Sequence, residues 1–174
     1  VIGEGELTCL EVLDHLERGR PLDDVPGIVC RHPAHGTVRT PPRPTIPDLD
    51  ILPFPAWDLL PNFPHAYPHS PFETRRTPAA SVITSRGCPF HCNWCAKPVF
   101  GRQYFLHSPE RVAADLAWLK GRVAFEHVWF CDDIFGLKPG RVNQFANLVE
   151  KENLHFTFKM QGRVDLLLQE NNIK

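Results

Sequence analysis

The sequence has no excess of charge of either sign: 19 Lys and Arg stand against 20 Asp and Glu, interspersed along the chain. It therefore lacks the basic stripe that marks nucleic-acid or anionic-membrane binding, and the charge balance names no ligand. Long apolar runs are absent too. None approaches the ~18 residues that a membrane-spanning helix needs, and the first residues show neither a basic leader nor a signal-type apolar stretch, so a protein of the cytoplasm is expected. Low-complexity tracts and internal repeats are also missing. What is there is ample core material, with 43% hydrophobic and 22% charged residues among 174, the usual mix for a globular chain.

At the front, Val1-Ile2-Gly3 reads as the end of a buried strand met midway, and the chain stops at Asn171-Asn172-Ile173-Lys174 without a closing element. Both ends are expected to be cut. Leu7, Leu10 and Leu13, with Val12 and Leu16, follow helical spacing from Glu6 to Arg18, and Gly19 and Pro21 stop that helix. The run Gly3-Glu4-Gly5-Glu6 sits between strand and helix like a phosphate loop, but its two carboxylates would repel an anion. Pro26 to Cys30 and Thr37 to Arg39 flank a His/Pro/Gly stretch and predict a small hairpin.

Between Pro41 and Pro78 lie 11 of the 18 prolines, a density that forbids continuous helix or sheet. This stretch is read as a linker. Its Ile51, Leu52, Phe54, Trp57, Leu59, Leu60, Phe63, Tyr67 and Phe72 predict that it lies ordered against a folded surface, because a freely solvated linker would be poorer in such residues.

Beyond it the rhythm alternates. Ala80 to Thr84 predicts a strand, and Ser108-Pro109-Glu110 opens a helix to Lys120, with Ser as cap and Pro in the first turn. His127 to Cys131 predicts a second strand, Pro139 starts a helix to Lys151, Leu154 to Met160 predicts a third strand and Val164 to Gln169 a further helix. A βαβαβα series implies parallel strands joined by helical crossovers, in an open sheet or part of a barrel.

Three of the six cysteines fall within eight residues, in Thr84-Ser85-Arg86-Gly87-Cys88-Pro89-Phe90-His91-Cys92-Asn93-Trp94-Cys95. Such clustering favours a metal site over a disulfide framework. Three thiolates on one loop can ligate three irons of a cubane and leave the fourth open, whereas electron-transfer clusters normally take four cysteines. A structural zinc site would need a fourth ligand such as His91 or Cys131 and usually shows paired CxxC units, which are absent. Cys9, Cys30 and Cys131 read as small apolar residues.

The CxxxCxxC spacing with Trp94 before its last cysteine resembles the signature of the radical S-adenosylmethionine (radical SAM) superfamily. That resemblance implies that Cys88, Cys92 and Cys95 hold a 4Fe-4S cluster whose open iron chelates SAM, that Trp94 neighbours the adenine, and that SAM is split to methionine and a 5'-deoxyadenosyl radical. It also implies a reductant such as flavodoxin or ferredoxin. Trp129-Phe130-Cys131-Asp132-Asp133-Ile134-Phe135 is similar to the FxDDxF stretch of members that also bind cobalamin, so Asp132 or Asp133 is expected to face the SAM amino group; the competing reading is that either caps a turn. Lys159 to Asp165 resembles a strand-three R-x-D, which places Arg163 toward a carboxylate of SAM or substrate. A surface pair between Arg163 and Asp165 is the alternative.

Val1 to Glu6 looks like the last strand and turn of a Rossmann-like cobalamin-binding domain, and Ile46 to Leu60 resembles the D-x-LPxPAWDLL interdomain stretch of such proteins. The DxHxxG motif by which many of those domains present a histidine to cobalamin does not occur in the sequence. The resemblance covers nearly the whole chain and implies three parts: residues 1–40 as the end of the cobalamin-binding domain, 41–78 as linker, and 79–174 as the first half of a (β/α) TIM-type barrel. The function expected is methyl transfer to, or oxidative cyclisation of, a small organic substrate. The alternatives are a methylthiotransferase-like or tRNA-modifying radical SAM protein, and a non-enzymatic iron-sulfur or zinc module.

Overall fold

The computed structural model describes residues 1–60, 78–96 and 100–168. Phe63, Tyr67 and Phe72 of the proline-rich stretch and the predicted helix end at Gln169 lie outside those residues. The chain divides into two compact units, Val1–Pro47 with Gly87–Tyr104 and Asp48–Arg86 with Phe105–Lys174. The described residues of the proline-rich stretch fall on both sides of that division.

In the first unit, helix α1 spans Glu6–Glu17, and strands β1 (Val29–His32) and β2 (Gly36–Arg39) form the predicted hairpin, with Val29 opposite Arg39 and His32 opposite Gly36. Gly19, at φ +63°, ends α1 by donating to the Leu16 carbonyl at 3.2 Å while Arg20 donates to that of His15 at 2.8 Å. Such a left-handed stop is open to Gly at little cost. One expectation is corrected here. Val1-Ile2-Gly3 is not a strand; the Ile2 amide donates to the Gly27 carbonyl at 2.7 Å. The leucine face of α1 lies in solvent. Leu10, Leu13 and Leu16 are 57–66% exposed, while Thr8 and His15 are the buried residues of the helix. The reason is the missing partner: among the described residues, the first unit has no sheet beyond the short hairpin for a leucine stripe to cover. Its interior joins buried Val25, Ile28 and Ile46 to polar groups. Buried Glu4 accepts from the Ile46 amide at 2.6 Å, Arg43 donates to Thr8 at 2.9 Å, and His15 Nδ1 meets the Pro21 carbonyl at 2.5 Å.

The second unit holds a three-stranded parallel sheet of β3 (Ala79–Val82), β6 (His127–Phe130) and β7 (Thr157–Met160), with β6 in the centre. Ala79 stands beside His127, and His127 beside Thr157. Helices α2 (Pro109–Lys120) and α3 (Pro139–Lys151) make the crossovers, and a single helical turn, α4 (Val164–Leu167), follows β7. The Ser108 hydroxyl accepts from the Arg111 amide at 3.0 Å and Pro109 takes the first turn of α2, as the sequence predicts.

Ala80, Val82, Val112, Leu116, Leu119, Val128 and Phe130 form the core. Phe130 stacks within 5.1 Å of Phe135 and meets the edge of Phe145 at 5.9 Å, so truncating it to Ala should cost about 3–5 kcal/mol. On the far side the packing is open. An apolar groove of about 310 Å³ runs between α3 and the β6–β7 face, lined by Phe135, Val142, Phe145, Phe156 and Met160.

A further pair of two-residue strands, β4 (Ser85–Arg86) and β5 (Phe105–Leu106), runs antiparallel and was not legible in the sequence. The proline-rich stretch does lie against a folded surface as far as it is described: Leu49 and Leu52 are buried, Phe54 packs 6.1 Å from Trp118, and the Arg111 guanidinium lies 3.9 Å over Phe54. Among the described residues no helix is long and apolar enough to cross a membrane.

Candidate functional site

The cysteine loop leaves β4 at Gly87 and returns to β5 at Phe105. Gly87 has φ +78°, and the Gln103 carbonyl crowds the space a side chain would need. Cys88 is half-buried, while Cys92 and Cys95 are exposed. The Cys95 amide donates to the Cys92 carbonyl at 3.2 Å, which turns the CxxC segment back on itself. No disulfide joins any of the six cysteines, all of which are described. Among the described residues no group of three or more His, Cys, Asp or Glu side chains is gathered to hold a metal ion.

Sequence spacing thus brings the three thiols onto one loop without drawing their sulfurs together. The donor set still fits an iron-sulfur cluster, because three cysteines on one loop can supply thiolates to three irons of a cubane. Of the residues that a zinc site would call on, His91 is exposed. Cys131 is half-buried beside the Trp129 carbonyl in the second unit, and burial pushes its thiol up, away from the thiolate a metal needs. Trp94 presents its indole to solvent, 89% exposed.

The two neighbouring carboxylates after β6 have opposite fates. Asp132 is 1% exposed and turns inward: it accepts from the Thr84 amide at 2.6 Å, the Thr84 hydroxyl at 2.6 Å and the Ser85 amide at 3.0 Å. Burial pushes its carboxyl up, against those bonds, which pull it down. This is the turn-holding arrangement that competed with ligand binding. Asp133 is exposed. Arg163 makes the surface pair foreseen as its alternative, a bidentate contact with Asp165 at 2.9 and 3.0 Å. Cys88, Cys92, Cys95 and Trp94 lie in the first unit, Asp132, Asp133 and Arg163 in the second.

Sequence reading missed three contributors in the second unit. Asp50 accepts from the Ser108 amide at 3.0 Å and meets His107 Nδ1 at 3.1 Å, and Arg141 donates to the backbone around Thr84 and His107. For Arg141 a signal existed. A cation in the first turn of a helix opposes the macrodipole and is kept there by some other contact.

No protein-family model matches the chain. An uncharacterised methyltransferase of Pyrococcus horikoshii is 35% identical over 95% of this chain and 34% of its own length. The hopanoid C-3 methylase of Methylococcus capsulatus is 30% identical over 98% of the chain and 30% of its own length. The anaerobic magnesium-protoporphyrin IX monomethyl ester cyclase of Rubrivivax gelatinosus is 34% identical over 99% of the chain and 31% of its own length. The chain spans about a third of the length of the curated relatives it matches.

Among solved structures, the cobalamin-dependent SAM radical enzyme OxsB with aqua-cobalamin bound superposes with a TM-score of 0.73 at 20% identity, covering 99% of this chain and 24% of that one. The radical SAM methyltransferase TsrM of Kitasatospora setae, with cobalamin and a [4Fe-4S] cluster, gives 0.54 at 21% identity over 87% of this chain and 29% of that one. The mixed α/β fold with its parallel sheet is shared with these structures, and the resemblance drawn from the cysteine loop is borne out.

Proposed function

Taking the chain as part of a radical SAM protein of the cobalamin-associated kind, we propose that Cys88, Cys92 and Cys95 hold three irons of a 4Fe-4S cluster that leaves one iron for SAM. Such a cluster, held by these cysteines and reduced, would supply the electron that splits the sulfonium of SAM to methionine and a 5'-deoxyadenosyl radical. The complete protein, in the cytoplasm, uses this chemistry together with cobalamin for methyl transfer to, or oxidative cyclisation of, a small organic substrate. Flavodoxin or ferredoxin serves as reductant.

The observation that carries the reading is three thiols at CxxxCxxC spacing on one loop, in a chain whose relatives are methylases and a ring-forming cyclase. Those names point to small molecules, so the tRNA-modifying alternative has no support of its own. The exposed indole of Trp94 offers an apolar face to the adenine. Asp133, exposed after β6, is the carboxylate available to an amino group, since Asp132 has spent its oxygens on Thr84 and Ser85. Arg163 can exchange Asp165 for a ligand carboxylate at little cost, because a solvated surface pair contributes little. We assign residues 1–40 to the end of a cobalamin-binding domain, 41–78 to the linker and 79–174 to the first part of the SAM barrel.

Anaerobic reconstitution of the full-length protein with iron and sulfide tests this. Wild type should gain a 4Fe-4S cluster whose EPR signal changes when SAM is added, and Cys88→Ala, Cys92→Ala and Cys95→Ala should each lose it. A cluster that forms equally well without Cys92, or that ignores SAM, overturns the reading.

A further inference from the structure

Thr84 is gripped between two opposite charges. On one side its amide and hydroxyl both donate to Asp132. On the other, its carbonyl accepts from Arg141 Nη2 at 3.2 Å and from the His107 amide at 3.0 Å. Arg141 also spans to the returning strand, giving Nε at 3.0 Å and Nη2 at 2.8 Å to the His107 carbonyl. One guanidinium thus ties the last residue before β4 to the first residue after β5. Asp132 and Arg141 both come from the crossover that leaves β6 and begins α3, and every partner lies in the second unit.

The ribbon they clamp needs such help. β4 and β5 contribute two residues each, and a two-stranded ribbon is marginal by itself even at greater length. Arg141 stands in the first turn of α3, where the helix macrodipole disfavours a cation, and charged hydrogen bonds to two carbonyls offset that cost. Lysine could reach one carbonyl only, as a point charge without the planar fork. Beyond β4 the chain runs directly into Gly87-Cys88. A loop with fixed ends brings three thiols together at lower entropic cost than one whose ends fray.

We propose that Arg141 is a positioning residue of the cysteine loop: with Asp132 it locks both stem strands, so that Cys88, Cys92 and Cys95 are presented as one set for the cluster. The inference rests on the reading of those cysteines as cluster ligands. In this role Arg141 acts through the backbone of Thr84 and His107.

The test compares full-length wild type, Arg141→Ala and Arg141→Lys, first as apo-protein and then after anaerobic reconstitution. In the apo-protein, hydrogen exchange at the Ser85 and His107 amides should quicken about tenfold in Arg141→Ala, with the amides of Val128 to Phe130 unchanged. After reconstitution that variant should hold about tenfold less cluster at equal iron supply, and its residual EPR signal should no longer respond to SAM. Arg141→Lys should fall between, with a SAM response retained. Faster exchange with full cluster loading would overturn the inference, as would quickening spread equally through β6, which would mark Arg141 as a general fold residue. If wild type itself gains no SAM-responsive cluster, the proposed function fails and this inference with it; a wild type that loads and an Arg141→Ala that matches it sinks the inference alone.

Discussion

Gly87 and Gln103 approach so closely that a Cβ on Gly87 would stand 2.0 Å from the Gln103 carbonyl oxygen. That distance is far inside van der Waals contact, and the crowding atom belongs to backbone, which cannot swing aside as a side chain would. Gly87 also holds φ +78°, a conformation that itself costs an alanine about 1 kcal/mol or more. Gly87→Ala should therefore displace the returning limb of the cysteine loop. Full-length Gly87→Ala is expected to bind markedly less iron than wild type on reconstitution, read by iron and sulfide content. Unchanged loading would show that the loop tolerates a shift of its first turn.

Asp132 holds three donors with two oxygens, all buried. Asparagine keeps the shape but turns an NH2 group toward donors, so Asp132→Asn should destabilise the protein by about 1–3 kcal/mol in urea unfolding. Burial raises the Asp132 carboxyl. A carboxyl with a raised folded value contributes stability that is complete at acid pH and is lost as pH rises through that value. The gap between wild type and Asp132→Asn should accordingly be widest in acid and narrow toward neutrality. A gap that widens with pH would contradict the assignment.

His107 points its Nδ1 at Asp50 from a half-buried position, with Arg111 and Arg86 nearby. Burial pulls its titration below the ordinary 6.5, Asp50 pushes it back up, and the two arginines lower it further. Neutral His107 thus contributes stability that is present above 6.5 and lost as pH falls through its lowered folded value. Asp50 adds on the same side at lower pH. Burial draws its carboxyl up, but the bonds from Ser108 and His107 prevail and hold it below 3.8, so its contribution is lost only in stronger acid. His107→Gln, which can still donate to Asp50, should flatten the stability profile as pH falls below 6.5. Equal slopes for wild type and variant would refute this.

The Arg163–Asp165 pair is bidentate but lies in solvent, with side chains 43% and 59% exposed. Such pairs contribute little to folding. Arg163→Ala should leave the unfolding midpoint unchanged within error while weakening the SAM-induced EPR change of the reconstituted protein. A loss of stability with an intact SAM response would return Arg163 to a purely structural role.

Much of the parallel α/β unit was legible because its signals are local. Ser108 and Pro109 set the start of α2 by themselves, and strand and helix alternate in an order that only a parallel sheet accommodates. The leucine stripe of α1 was equally legible as a helix but said nothing of burial: spacing fixes which residues share a side, while burial depends on what lies opposite, and the described part of the first unit offers no sheet there beyond the short hairpin. The β4–β5 ribbon escaped notice because two residues per strand carry no periodicity.

For the candidate site the division is the same. The sequence by itself determined that three thiols share one loop with a tryptophan beside the last of them, since spacing along a short loop is covalent geometry. Which of two adjacent aspartates turns inward, and that an arginine with no motif ties the loop's stem, were decided only by the tertiary structure. Asp132 meets Thr84 across 48 residues and Arg141 meets it across 57, and contacts over such distances are set by how sheet and helices pack, which no local pattern encodes.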